Sequence, residues 1–392
     1  MHIMMIAHVG ETVGHVARGL AIADALRNRG TKVEFAVDPR AQWLFDVWPS
    51  SYRTYPISWD FSHNAFGRDS APQQVLRGVL KANRELLAVL KETQPDAALG
   101  LPGLFSFQAC RSLGIPHASV MHAPYLSPLL DLHDASQAER IVLDLTNEIL
   151  LGGAVDTVLN ELSAKLALPA ATMREALAEE TIICPQPGLP FRGPCPQNIQ
   201  VADFIAASYG PSPPPGLSTG SDLCYVTFGS GNPCDLGNVV RSVAGLYDQV
   251  LLSTGSLRVG DMPKNVITCR AVSAEGLLDR VSAVVSHGGI GTVGTFARAG
   301  IPQLVIPTEP DQATMAVHGT RHGVCMQCGL EAWSEHAQTG RRLPQMGVSE
   351  LHDAILQMRD AEAASWNRFP ACGASNVAGI VMNGEQPAAL AS

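Results

Sequence analysis

Short apolar runs alternate with amphipathic segments along the chain. Ile3–Ala7 is such a run. Val16–Arg29 follows, with Leu20, Ala23 and Leu26 at helical spacing and a stop at Gly30-Thr31, and Val33–Val37 is the next apolar run. Strand, helix and strand in this order predict a βαβ unit opening a parallel, doubly wound sheet. The unit recurs as Ala97–Leu101, a helix through Leu113 stopped by Gly114-Ile115-Pro116, and His117–Met121. Between the repeats lie an irregular aromatic stretch, Ser50–Ala71, and a helix from Gln73 to Lys91. Leu126–Leu177 reads as mostly helical, with a break at Leu168-Pro169. Pro, Gly and Ser dominate Ser208–Ser221, the composition of a semi-rigid linker. Strand-like runs then resume at Cys224–Phe228, Val250–Ser253, Val266–Cys269, Ala283–Ser286 and Gln303–Ile306. The pattern predicts an α/β protein of two Rossmann-like domains: residues 1–207, a linker at 208–221, and residues 222–392.

Composition narrows the function. The 392 residues leave room for two domains, and 46% apolar against 16% charged residues excludes a disordered chain. The net charge of −9 divides evenly around Pro215: 21 acidic and 16 basic residues before the cut, 15 and 11 after it. Neither half has the basic footprint of a nucleic-acid or anionic-membrane binder. No apolar run approaches the ~18 residues of a membrane span, and His8 and Glu11 interrupt the N-terminal run where a signal peptide would stay apolar. The expected location is the cytoplasm. Nine scattered cysteines fit reduced thiols, and the lone Cys325-Met-Gln-Cys328 has no second pair to complete a metal site.

In open parallel sheets, ligands bind beyond the carboxyl ends of the strands, and the residues with chemistry cluster there. Ser286-His287-Gly288-Gly289-Ile290-Gly291-Thr292 joins a strand to a helix. Its glycines expose backbone N–H groups at a helix N-terminus, a setting that favours an anion such as a diphosphate. Asp311-Gln312 follows the next strand, and a carboxylate beside an amide suits sugar hydroxyls. Gly229-Ser230-Gly231 is a further small-residue turn on the same edge. In the first half, His15 opens a helix just after the first strand, where an imidazole can exchange a proton near neutral pH. His8 ends that strand. The aromatic stretch, with Trp43, Phe45, Trp48, Tyr52, Tyr55, Trp59, Phe61 and Phe66, suggests an apolar groove wall, and His122 and Tyr125 follow another strand end.

His287 to Gln312 resembles the donor-binding signature of family-1-like GT-B glycosyltransferases, and the likeness spans nearly the whole chain. Val226–Ser230, Asn265–Leu278 and Val158–Pro169 resemble further segments of that family. The resemblance implies two domains facing across a cleft, with the last helix packing back on the first. It implies that His287 and the Gly288, Gly289, Gly291 and Thr292 backbone hold a diphosphate, assisted by Ser230. It places Asp311 and Gln312 on the sugar, the Val272 backbone at the base, and His15 as general base. His8, Trp59, Phe61, Phe66, His122 and Tyr125 become acceptor contacts. The expected reaction is inverting transfer from a nucleotide-sugar donor to a hydroxyl or amine of an apolar or aromatic small-molecule acceptor. No resident cofactor or metal is expected: an Asp-x-Asp motif is absent. A homodimer is compatible with the sequence.

Departures from the family's pattern qualify these roles. Thr295 stands where relatives often carry a ribose-binding Glu, which favours a dTDP-sugar over a UDP-sugar donor. Ala271 and Ala274 replace a Trp and a Gln near the base, and Met315 replaces an Asn. No carboxylate occurs near Gly100–Pro102, where an Asp usually orients the histidine. Arg18 replaces a Pro, and Gly14-His15-Val16-Ala17-Arg18 is similar to nucleotide-sugar hydrolases; as a lone helix-surface Arg it is expected to be solvated. A hydrolase or epimerase of the same fold, or a non-catalytic auxiliary protein, are the alternatives.

Overall fold

The computed structural model describes residues 1–7, 14–58, 72–103, 105–126, 129–131, 134–186, 193–206, 212–217, 222–229, 236–255, 259–330, 348–361 and 372–383. The chain divides into two compact units. The first comprises Met1–Asp131, Asn147–Ala207 and Cys372–Ser392; the second comprises Leu132–Thr146 and Ser208–Ala371. This division departs from a single cut at 208–221, because 132–146 cluster with the second unit and the terminal segment with the first.

The first unit carries β1 (His2–Ala7), α1 (Gly14–Arg27), β2 (Lys32–Val37), α2 (Gln42–Val47), β3 (Arg53–Pro56), α3 (Pro72–Thr93), β4 (Ala97–Leu101), α4 (Ser106–Ser112), β5 (His117–Val120) and α5 (Ala123–Leu126). Helix α6 (Gln137–Leu151) begins among residues of the second unit. It is followed by α7 (Gly153–Lys165), α8 (Met173–Ala178), β6 (Thr181–Cys184) and β7 (Ile199–Val201). The sheet order is β3-β2-β1-β4-β5-β6-β7, all parallel. Strands covered on both faces read as continuous apolar runs, which is why Ile3–Ala7 and Ala97–Leu101 stand out in the sequence. The order reverses between β1 and β4, so this sheet's switch point lies beyond Ala7 and Leu101.

The second unit carries β8 (Leu223–Thr227), α9 (Leu236–Ala244), β9 (Gln249–Ser253), β10 (Val266–Cys269), β11 (Ala283–Ser286), α10 (Ile290–Ala297), β12 (Gln303–Val305), α11 (Pro310–Arg321) and β13 (Met326–Gln327). Its parallel sheet runs β10-β9-β8-β11-β12-β13, with a switch point beyond Thr227 and Ser286. A core of Val226, Phe228, Val240, Val285 and Leu304 packs between this sheet and its helices. Buried Gln303 donates its amide to the carbonyls of both Val293 and Val324, 3.1 Å each, and so pins the ends of two connections.

One chain of paired polar groups crosses the interior of the first unit. Ser106 Oγ lies 3.1 Å from His117 Nε2, and His117 Nδ1 lies 2.7 Å from Glu180, tying α4 to the starts of β5 and β6. The terminal helix Gly373–Asn383 docks by its entry. A Cβ at Gly373 would collide with the carbonyls of Asp203 and Phe204, and Arg29 donates to the Ser375 carbonyl. Among the described residues no helix is long and apolar enough to cross a membrane, and the described cysteines are free thiols.

Candidate active site

The second unit's switch point is built from glycines and one buried histidine. Gly288 adopts φ +90°, and a Cβ there would lie 2.5 Å from Val305 Cγ1, so both conformation and space demand glycine. A Cβ at Gly289 would press on His287 Nε2 at 2.8 Å. Gly291 differs: a Cβ there would meet nothing within 4 Å and its φ is not positive. Glycine inside a helix costs up to about 1 kcal/mol against alanine. Packing gives no return for that cost at Gly291; what it leaves is an open first turn of α10, capped by Gly289 without a side-chain hydrogen bond. Ser286 Oγ accepts from Gly288 N–H at 3.2 Å and holds the turn's shape.

His287 bridges the switch point. Its Nδ1 lies 3.4 Å from the Thr227 carbonyl, which can only accept, so Nδ1 carries the hydrogen. Burial pushes the imidazole down to about 4, so the ring is neutral at pH 7. Gly229, at φ +61°, lies against the ring. The turn therefore offers an anion backbone N–H groups and a helix end, with no imidazolium charge.

The neighbouring loop is clamped from within. Gln312 Oε1 accepts from Thr308 N–H (2.9 Å), Thr308 Oγ1 (2.8 Å) and Glu309 N–H (3.1 Å). The sequence suggests an amide that both gives and accepts toward a sugar; its accepting half is committed to the loop, which leaves the Nε2 hydrogens. Asp311 sits in the first turn of α11. Thr295 is buried, and its hydroxyl donates to the Gly291 carbonyl at 2.7 Å, so it points along its own helix. Val272 packs its side chain into another core cluster of the second unit, with Tyr225 and Phe296. Thr292 occupies the first turn of α10.

In the first unit, three predicted residues come together near the carboxyl edge of the sheet. The ring of His15 lies 6.1 Å from that of His122, which meets the edge of Tyr125 at 5.5 Å. Arg18 corrects its sequence reading: it is 6% exposed rather than solvated, and its Nη2 donates to His15 Nδ1 at 2.7 Å. The spacing i, i+3 places the two on one helix face. Its burial is a tertiary fact that spacing does not carry. At Gly100, within the Gly100–Pro102 stretch that lacks a carboxylate, a Cβ would lie 2.4 Å from Gly103 Cα, so no side chain fits at that position.

The aromatic groove wall is corrected for Phe45, Trp48, Tyr52 and Tyr55, whereas Trp43 is exposed. Phe45 and Tyr52 pack edge-on against Phe35. Trp48 Nε1 and Tyr52 Oη donate to the Asp24 carboxylate, and Tyr55 is buried on β3. These rings hold α1, α2 and β2 together. His8, Trp59, Phe61, Phe66 and Ser230 lie outside the described residues.

Comparison with known proteins follows this geometry. Residues 239–363 match the EryCIII-like C-terminal domain of erythromycin biosynthesis protein CIII-like proteins. A PGL/p-HBAD biosynthesis rhamnosyltransferase of Mycobacterium tuberculosis (strain ATCC 25177 / H37Ra) is 25% identical over 387 residues, covering 92% of this chain and 84% of that protein. Vancomycin aglycone glucosyltransferase of Amycolatopsis orientalis is 32% identical over 33% of this chain and 31% of its own length. Spinosyn rhamnosyltransferase SpnG complexed with thymidine diphosphate superposes with a TM-score of 0.65 at 18% identity, covering 97% of this chain and 99% of that one. The fold is GT-B, two parallel α/β sheets with their helices. In sequence and in fold the chain is similar to family-1-like glycosyltransferases.

Proposed function

We propose that the protein transfers a sugar from a nucleoside diphosphate donor, a dTDP-sugar in preference to a UDP-sugar, to a hydroxyl or amine of an apolar or aromatic natural product, with inversion at the anomeric carbon. The observation that carries this reading is the open first turn of α10, where Gly291 gives up helix propensity with no packing return. The leaving diphosphate's growing charge falls on N–H groups already oriented to receive it, so the second unit needs neither a metal ion nor a basic side chain. Asp311 and the Gln312 amide hydrogens hold sugar hydroxyls. Thr295, turned back on its helix, leaves the ribose without the carboxylate that relatives often supply, which suits a 2′-deoxyribose. The thymidine diphosphate complexes of SpnG and of glycosyltransferase SsfS6 from Streptomyces sp. SF2575 support that preference. The first unit supplies the acceptor side through His15, His122 and Tyr125, with His15 as the residue at the reacting oxygen.

A thermal-shift series with dTDP, UDP and GDP tests the donor, since a ligand that binds the native state raises its stability by mass action. The largest shift is expected with dTDP. Transfer assayed with and without EDTA, with the product's anomeric configuration read by NMR, tests the chemistry. A retained configuration, or loss of transfer in EDTA, would overturn it.

A further inference from the structure

The buried Arg18 changes what His15 can do, and the inference drawn from it rests on the transferase reading above. A guanidinium only donates hydrogen bonds, so the 2.7 Å contact makes Nδ1 of His15 the acceptor and leaves the neutral ring's hydrogen on Nε2. A carboxylate in that position would do the reverse. It would take the Nδ1 hydrogen and leave a lone pair on Nε2, the form that removes a proton from an alcohol. The backbone approach of Gly103 to Gly100 leaves no space for a carboxylate side chain at Gly100, on β4. Placing a second hydrogen on the ring would turn the acceptor of Arg18's bond into a donor aimed at a cation.

We propose that Arg18 locks His15 in its Nε2–H form, so that the imidazole gives a hydrogen bond to the acceptor oxygen and does not take its proton. The chain then transfers sugar to oxygens that ionise without a protein base, phenols and carboxylic acids, over alcohols and water. Phenols ionise near 10, whereas water holds its proton to about 15.7. The acceptor's proton leaves to solvent before the step. The oxyanion's electron pair forms the bond to the anomeric carbon. The bond from that carbon to the diphosphate oxygen breaks, and its pair stays on the diphosphate. Arg18 acts through His15 and is a positioning residue.

Long-range proton–nitrogen NMR on the full chain with ring-labelled histidine reads the tautomer directly, with His15→Gln assigning the signal. The expected result is a hydrogen on Nε2 and a bare Nδ1 in the native chain, changing in Arg18→Met and retained in Arg18→Lys. A hydrogen on Nδ1 in the native chain overturns the proposal, and this reading needs no variant to fold and no activity. In the second arm, kcat/KM is compared for substituted phenols and a matched alkanol with a dTDP-sugar. The phenol-to-alkanol ratio is expected to fall at least tenfold in Arg18→Met. An unchanged ratio, or sugar released to water by the native chain as fast as it is transferred to phenols, overturns the proposal. If no acceptor is glycosylated from any nucleotide sugar while NMR shows the Nε2–H form, the transferase reading fails and the Arg18 lock stands.

Discussion

In the first unit, two histidines have charged partners: His15 takes a hydrogen bond from Arg18, and His117 is paired with Glu180. In the second, His287 meets only a backbone carbonyl, and neither ring nitrogen of His318 finds a hydrogen-bond partner among the described residues. Burial lowers His287 to about 4. His318 falls to about 3, through burial first and then the charges of His322 and Arg321. The contrast separates two ways of building a site. The first unit's edge, proposed above to receive the acceptor, holds His15 through a charged neighbour. The second unit's glycine turn keeps its histidine neutral and presents backbone groups at a helix end. Each should fail under a different stress.

Acid is the largest. An unfolded histidine gains its proton near 6.5, whereas folded His287 and His318 refuse theirs until about 4 and 3. Their contribution is therefore complete above pH 6.5 and is lost as pH falls from there toward 4, by about 1.4 kcal/mol per pH unit per group. Glu34 in the first unit, held below the usual carboxylate range by Lys32, His2 and Arg53 against a raising effect of burial, loses its contribution only below about 4.5. Hydrogen exchange between pH 6.5 and 4.5 should show β8, β11 and β12 losing protection ahead of β1 and β4, and His318→Leu should shift the onset downward. Simultaneous loss in both sheets would break the comparison.

Gly288→Ala comes next. A left-handed conformation costs an L-residue about 1–2 kcal/mol, and the added methyl must displace Val305 for about 1–3 more. Denaturant unfolding should show the second unit weakened by about 2–5 kcal/mol, with dTDP binding lost. Gly291→Ala sharpens the point in the opposite direction. Its methyl enters open space and its helix propensity improves by up to about 1 kcal/mol. The melting temperature should hold or rise by a few degrees while calorimetry shows dTDP binding at least tenfold weaker. If Gly291→Ala leaves binding intact, the open turn is not where the diphosphate sits.

The donor edge was more legible in the sequence than the acceptor edge, for a physical reason. The glycines, His287 and Asp311-Gln312 occupy consecutive strand-to-helix turns, so their chemistry is local in the chain. Most strands were legible too, because a parallel strand buried on both faces needs an unbroken apolar run. β3 escaped because Arg-Thr-Tyr-Pro carries no such run, β13, at two residues, is too short for any period, and the short β6 and β7 were not read either. The pairing of His117 with Glu180 spans 63 residues and leaves no local trace. Arg18 lay between these cases: its spacing from His15 was visible, its burial was not. Phe45, Trp48 and Tyr52 misled because packing and groove-lining ask for the same residues, and only the Asp24 and Phe35 contacts separate them.

The smallest expected effect lies at Thr295, and it tests whether the donor edge depends on backbone as the comparison holds. The Thr295 hydroxyl donates to Gly291's carbonyl within α10, a bond that duplicates what the helix backbone already supplies there. Thr295→Val keeps the shape and removes only that donation, so stability should change by less than about 1 kcal/mol. If the ribose is recognised without this side chain, the ratio of dTDP to UDP affinity should stay within twofold of the native chain in a calorimetric titration. A larger change in that ratio would mean that Thr295 leaves its helix bond when a nucleotide binds. Nucleotide choice would then rest on a side chain, and the contrast with the acceptor edge would narrow to the diphosphate alone.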